Sequence, residues 1–135
     1  MKKLIISGIG LVLLVVVSVL LRQHFRPLSD AEIRQKVVGT WSVPPSASDT
    51  ATIINEIHSD GSFVSKWSSA TSDISLEGRW DVQGGSVVLT LTNAHGTDLH
   101  SLGPPVQHYT IVRINKSEMV SHLGGYTNLI VMKRR

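Results

Sequence analysis

Apolar and polar residues fall along this chain in three regimes. Residues 4–21, LIISGIGLVLLVVVSVLL, carry no charge and are apolar almost throughout. In PLSDAEIRQKVVG, residues 27–39, the apolar positions have helical spacing. Beyond Gly39 apolar and polar residues alternate in short runs separated by Gly, Pro, Asn, Asp and Ser. A period near 3.6 reads as helix and a period of two as strand. The expected organisation is an N-terminal anchor with its flanks over 1–27 and a mainly β domain, opened by a short helix, over 28–135.

The eighteen residues of the apolar run, at about 1.5 Å each, cover roughly 27 Å, close to the hydrocarbon thickness of a bilayer. Lys2 and Lys3 precede the run; Arg22, His24 and Arg26 follow it. A cleaved signal peptide also starts with lysine and an apolar stretch, but has small residues before the cut. Here the run ends Leu20-Leu21-Arg22, so an uncleaved single-pass transmembrane helix is expected and a cleaved signal is the competing reading. Counting Lys2 and Lys3 against Arg22, Arg26, Arg34 and Lys36 does not favour translocation of the C-terminal part. A short basic tail ahead of a long apolar run is nevertheless the arrangement of a signal anchor. On that ground the domain is expected to be extracytoplasmic, periplasmic or on the cell surface.

Pro27 ends the anchor or opens a linker. Ser29 with Glu32 three residues on makes a capping box, and Leu28 with Ile33 the accompanying hydrophobic staple, so a helix should start at Ser29 and stop near Gly39. ATIINEIH and SFVSKWSS flank Asp60-Gly61, the strongest hairpin cue in the chain. ISLEGRWDV and SVVLTLTN flank Gly84-Gly85; QHYTIVRI and EMVSHL flank Asn115-Lys116; YTNLIVMK follows Gly124-Gly125. With the strand opened by Gly39, that makes about eight short strands joined in sequence. Eight strands in about 95 residues leave no room for alternating helices, which excludes a parallel α/β sheet. An up-and-down antiparallel meander is expected, closed into a barrel so that no edge is left exposed.

Alternation assigns faces. Leu76, Gly78, Trp80 and Val82 share one side of their strand, with Glu77, Arg79 and Asp81 on the other. By the same logic Gly39, Trp41 and Val43 point inward, as do Val87, Leu89 and Leu91, and Phe63, Ser65 and Trp67 line one face. Gly-x-Trp-x-Val therefore occurs twice, at 39–43 and 78–82, in a chain with three tryptophans. An inward glycine lets a strand of a crowded barrel bend, and the indole two residues on can fill the space. On this reading Gly39, Trp41, Gly78 and Trp80 are structural. Stacking on a ligand is the alternative role of the tryptophans.

The formal charge of +3 and isoelectric point near 9.5 overstate how basic the domain is. From Ser29 onward there are nine Lys/Arg and ten Asp/Glu, and three of the nine are the terminal Lys133-Arg134-Arg135. A broad basic face for nucleic acid is not supported. The chain has no cysteine, which removes disulfides, thiolate metal sites and a cysteine nucleophile.

GTW just after a short helix, opening a β-meander, resembles the lipocalin and fatty-acid-binding superfamily. The run GTWSV, IINEIHSDGSF, EGRWDVQGGSVVLTLT is similar to the small lipocalin-like domains of bacterial envelope proteins. The resemblance covers roughly residues 29–133 and implies that Trp41 closes the barrel base, with Lys133 or Arg134 packed on its ring as a cation–π pair. It also implies a ligand-binding family. The chain is shorter than a full lipocalin and lacks cysteines.

No chemistry-bearing constellation displaces that expectation. His95, Asp98 and His100, with His108 beyond, have metal-ligand chemistry but sit in a loop without fixed spacing. No strand–turn–helix elbow raises a serine, no paired carboxylates face one another, and no glycine loop precedes a helix. No catalytic residue, metal or cofactor is assigned. The leading expectation is a membrane-anchored, non-enzymatic binding module for a small apolar or amphipathic ligand, contacted by Trp67, Trp80, Phe63, Asn55 and Ser65. The alternative is a solid-cored domain that binds another envelope protein through its strands or the 94–105 loop.

Overall fold

The computed structural model describes residues 15–21, 26–45 and 50–135. Eight antiparallel strands follow one another around a closed barrel, each paired with the next and the last with the first. They are β1 (Gly39–Val43), β2 (Thr52–Ile57), β3 (Ser62–Ser68), β4 (Asp73–Gln83), β5 (Ser86–His95), β6 (Val106–Ile114), β7 (Glu118–Leu123) and β8 (Leu129–Arg134). Helix α1 (Asp30–Val37) precedes them, and a 3₁₀ turn, Leu99–Leu102, lies between β5 and β6. Closure comes from Trp41 opposite Arg134 and Ser42 opposite Lys133, which leaves no unpaired edge.

Because the strands run up and down, the hairpin loops divide between two ends. The β2–β3, β4–β5 and β6–β7 turns share one end with α1. The β1–β2, β3–β4, β5–β6 and β7–β8 loops share the other.

The capping box forms as the sequence predicts: the Ser29 hydroxyl accepts from the Glu32 backbone N–H at 3.3 Å, and the Glu32 carboxylate accepts from the Ser29 N–H at 2.9 Å. Hydrogen bonds from Ser29 hold the Glu32 carboxyl below its ordinary range. Residues 83–86 make a two-residue hairpin in which Gly84 and Gly85 both have positive φ, +57° and +79°, the backbone that a type I′ turn demands. The Asp60-Gly61 turn is of another kind. His58 and Ser62 close it, Gly61 is its one residue at positive φ, and the Asp60 carboxylate accepts from the Ser62 N–H at 2.9 Å. The last strand starts at Leu129 rather than Tyr126, because Tyr126 turns back to hydrogen-bond the Leu123 carbonyl at 3.0 Å and leaves its ring exposed.

Among the described residues no helix is long and apolar enough to cross a membrane. The predicted span over 4–21 lies mostly outside the described residues. Its last part, 15–21, is helical and exposed.

Helix α1 plugs its end of the barrel. Ile33 and Val37 are buried, 2% and 0% exposed, among Trp41, Trp80, Val82 and Val87. The plug is also tied by polar contacts that the hydrophobic pattern does not announce. The Asp30 carboxylate accepts from the Gly84 N–H at 2.9 Å and the Gly85 N–H at 2.7 Å. Arg34 pairs with Asp81 and lowers its pKa, helped by the Val82 N–H. Arg134 reaches from β8 to the helix end, donating to the carbonyls of Val38 at 2.9 Å and Lys36 at 2.7 Å. A guanidinium at a helix C-terminus satisfies carbonyls with no partner inside the helix.

The two Gly-x-Trp copies differ. Trp41 is fully buried, donates its indole N–H to the Val37 carbonyl at 2.7 Å, and lies under the Arg134 guanidinium, 4.3 Å from the ring centre. Of the two basic residues the resemblance offers, Arg134 takes this place. Gly39 has φ +140°, and a Cβ there would overlap the Arg134 guanidinium. At Gly78 φ is ordinary, but a Cβ would run into the Thr90 carbonyl oxygen and the Phe63 ring, where β4 bulges against β5. The sequence reading, in which each indole fills the space of its own glycine, needs this correction: a guanidinium occupies one space, and a neighbouring strand with a phenyl ring the other.

Candidate functional site

Above the plug the barrel interior is not filled. A cavity of about 350 Å³ lies between the strands, and its floor includes Val37 of α1. Its deeper wall is formed by buried Phe63, Leu76, Val87, Leu91, Met119 and Met132. Toward the mouth the lining is half-buried or exposed: Val43, Ile53, Trp67, Leu102 of the 3₁₀ turn, Leu123 and Ile130. Trp67 is 40% exposed.

Four of the five sequence-nominated contact residues meet at this cavity: Asn55, Phe63, Ser65 and Trp67. Register explains why. Asn55 pairs with Ser65, one inward step from Ile53–Trp67 at the mouth and one from Ile57–Phe63 at the plugged end. Trp80 is placed elsewhere. It lies below the cavity, 7% exposed, with its indole N–H donated to the His58 carbonyl at 2.8 Å and Arg34 5.9 Å from its ring centre. Of the structural motif residues, neither Gly39, Trp41 nor Gly78 is part of the lining.

The polar groups of the lining form two small sets and one isolated hydroxyl. Trp67 Nε1–H donates to Ser65 Oγ at 2.8 Å, Ser65 Oγ–H to Asn55 Oδ1 at 2.6 Å, and Asn55 Nδ2 faces Met132 Sδ at 3.4 Å. On β6 the Tyr109 hydroxyl donates to Gln107 Oε1 at 2.9 Å, and burial raises the phenol pKa. Ser121 Oγ is buried and has no hydrogen-bond partner among the described residues. Sequence reasoning did not single out Tyr109, Gln107, Ser121 or Met132. The signal for Ser121 was its inward position between Met119 and Leu123 on β7.

No charged side chain lines the cavity among the described residues. Nor do three His, Asp or Glu side chains gather where they could hold a metal ion, among the described residues. His95 meets the Asn93 amide at 3.0 Å, while Asp98 caps the 3₁₀ turn by accepting from the His100 N–H at 3.3 Å. The lining thus offers apolar surface and neutral hydrogen-bonding groups.

Two solved structures are similar to this chain in fold. A lipocalin-like protein from Bacteroides uniformis superposes with a TM-score of 0.52 at 12% identity, covering 74% of this chain and 98% of that one. An uncharacterized protein from Bacteroides eggerthii gives 0.51 at 12% identity, covering 73% and 98%. No family model and no curated protein matches the chain. What the structural likeness shows is the architecture, a lipocalin-like β-barrel.

Proposed function

We propose that this protein is a non-enzymatic binding module that holds a small apolar or amphipathic molecule inside its barrel, and that the apolar run over 4–21 anchors it in a membrane with the barrel outside the cytoplasm. The observation that carries the binding reading is the unfilled cavity. Protein interiors are packed to about the density of organic crystals, with few voids larger than a water. A void of about 350 Å³ is roughly twice the ~150 Å³ apolar cavity known to take up benzene, and it falls within the size range of small-molecule sites. The alternative, a solid-cored interaction domain, fits this interior less well.

Anchoring is supported by the length of the apolar run alone. If that run spans the bilayer, residues 22–29 reach at most about 28 Å from the membrane to α1. The plugged end would then be held near the membrane surface, while the mouth opens at the opposite end of the barrel.

The test uses the full chain in lipid nanodiscs, with empty nanodiscs as blank, and the neutral fluorescent probe N-phenyl-1-naphthylamine. Saturable enhancement at one probe per chain is expected. Leu89→Trp, which puts an indole into the void, should weaken it about tenfold or more. Absence of saturable enhancement overturns the reading. Anchoring is tested by fractionation: the protein should stay with membranes through high-salt and carbonate washes, and release would contradict it.

A further inference from the structure

The direction of the hydrogen bonds inside the cavity decides which kind of molecule suits it. An indole N–H can only donate, so Ser65 Oγ accepts from Trp67 and has its own proton to place. That proton goes to Asn55 Oδ1, 2.6 Å away. The Asn55 amide is thereby oriented by its neighbours: oxygen toward Ser65, nitrogen toward Met132 Sδ at 3.4 Å. A thioether is a weak acceptor, and an amide nitrogen carries two protons. At least one good N–H donor is therefore left at mid-barrel. On β7, Ser121 contributes a buried hydroxyl with no hydrogen-bond partner among the described residues.

Nothing in the lining offers a counter-charge. Among the described residues the cavity has no lysine, arginine or histidine, and burial keeps the Tyr109 phenol neutral. A carboxylate drawn inside would lose its hydration without a cation to replace it. A plain hydrocarbon would fill the volume but leave the Asn55 N–H and the Ser121 hydroxyl unpaired.

We infer that the cavity binds an uncharged molecule with a short apolar body and one hydrogen-bond acceptor, such as a ketone, ester or amide oxygen. The acceptor takes the Asn55 Nδ2–H, and Ser121 Oγ–H serves as second donor. This rests on the binding reading above and narrows it to a chemical class. Trp67 and Ser65 act at one remove, as positioning residues that fix which end of the Asn55 amide faces the ligand.

The experiment is competition against N-phenyl-1-naphthylamine on the full chain in nanodiscs at pH 8, with free concentrations corrected by empty nanodiscs. The competitors are 2-decanone, decane and decanoate, alike in chain length and different only in the polar group. The ketone should bind about tenfold more tightly than the alkane, the scale of one hydrogen bond to an otherwise unpaired buried donor, and decanoate should bind least. Asn55→Met offers Ser65 an uncharged, weak acceptor in its thioether and removes the N–H. It should bring the ketone to within about twofold of the alkane while decane affinity is kept. Ser121→Ala should give a smaller loss of the same preference. Decanoate binding as tightly as the ketone overturns the inference, as does a ketone preference that survives Asn55→Met. The ligand series on the unaltered protein decides the matter even if that variant fails to fold. Displacement of the probe by none of the three would overturn this inference alone, whereas failure of the probe to bind at all would overturn the binding reading beneath it.

Discussion

At the plugged end of the barrel, Trp41 is fully buried, its N–H is bonded, its ring lies under Arg134, and the helix above is held by Asp30, Arg34 and Arg134. At the mouth, Trp67 is 40% exposed and borders the unfilled cavity. The same residue type therefore serves two ends. An indole that is enclosed on every side stabilises the fold, whereas one that borders a void has contact surface left for something else. The difference teaches that enclosed packing and open contact surface are concentrated in different halves of this barrel. Substitutions at the plugged end should cost stability, and substitutions at the mouth should cost affinity.

The largest effect is expected at Trp41. Replacing it with Ala should destabilise the protein by about 3–5 kcal/mol in chemical denaturation, since a buried aromatic is deleted and a cavity left. A loss below about 1 kcal/mol would break the comparison. Next comes a glycine contrast. Gly78→Ala forces a methyl group into the Thr90 carbonyl and the Phe63 ring and should cost about 1–3 kcal/mol or more. Gly84→Ala, with nothing within 4 Å of the added carbon, meets only the strain of its φ of +57° and should cost about 1 kcal/mol. Equal costs would mean that close strand approach is not what Gly78 provides.

A smaller effect is expected on acidification. Lys133 and Arg113 hold the half-buried Glu118 carboxyl below its ordinary range, and Arg34 does the same for Asp81. A carboxylate whose pKa is lowered on folding contributes stability above the unfolded value and loses it as pH falls through the folded one. Both groups sit at the plugged end. Between neutral pH and the ordinary carboxylate range stability should stay level, then decline below it, with the emission of buried Trp41 and Trp80 shifting as the plug loosens. Asp81→Asn should flatten part of that decline; an unchanged acid profile in the variant would rule out this role. The smallest stability effect is expected at the mouth. Trp67→Phe should change unfolding by less than about 1 kcal/mol while weakening probe binding severalfold. A large stability loss there would blur the two halves into one.

Much of the architecture was legible in the alternation of residues. The capped helix at Ser29, the hairpins at Gly84-Gly85 and Asn115-Lys116, and the inward set Phe63, Ser65 and Trp67 follow from local spacing. What spacing could not supply is depth along the barrel axis, since alternation assigns a face and not a level. Trp67 and Trp80 both face inward, yet one borders the mouth and the other braces the plug. Their levels depend on register between strands and on where α1 docks. Contacts such as Asp30 with the Gly84 and Gly85 amides, 54 and 55 residues away, leave no local trace. Ser121 was missed for a related reason: a serine between Met119 and Leu123 reads as an ordinary inward polar residue until its missing partner is seen.

The central claim is that the upper half of the barrel exists to hold a molecule. The most direct measurement is native mass spectrometry of the full-length protein released from nanodiscs, before and after delipidation. The account predicts a species carrying one small uncharged adduct per chain, diminished in Leu89→Trp and retained in Gly84→Ala. A single ligand-free mass in every preparation, with no adduct formed when 2-decanone is supplied, would contradict it.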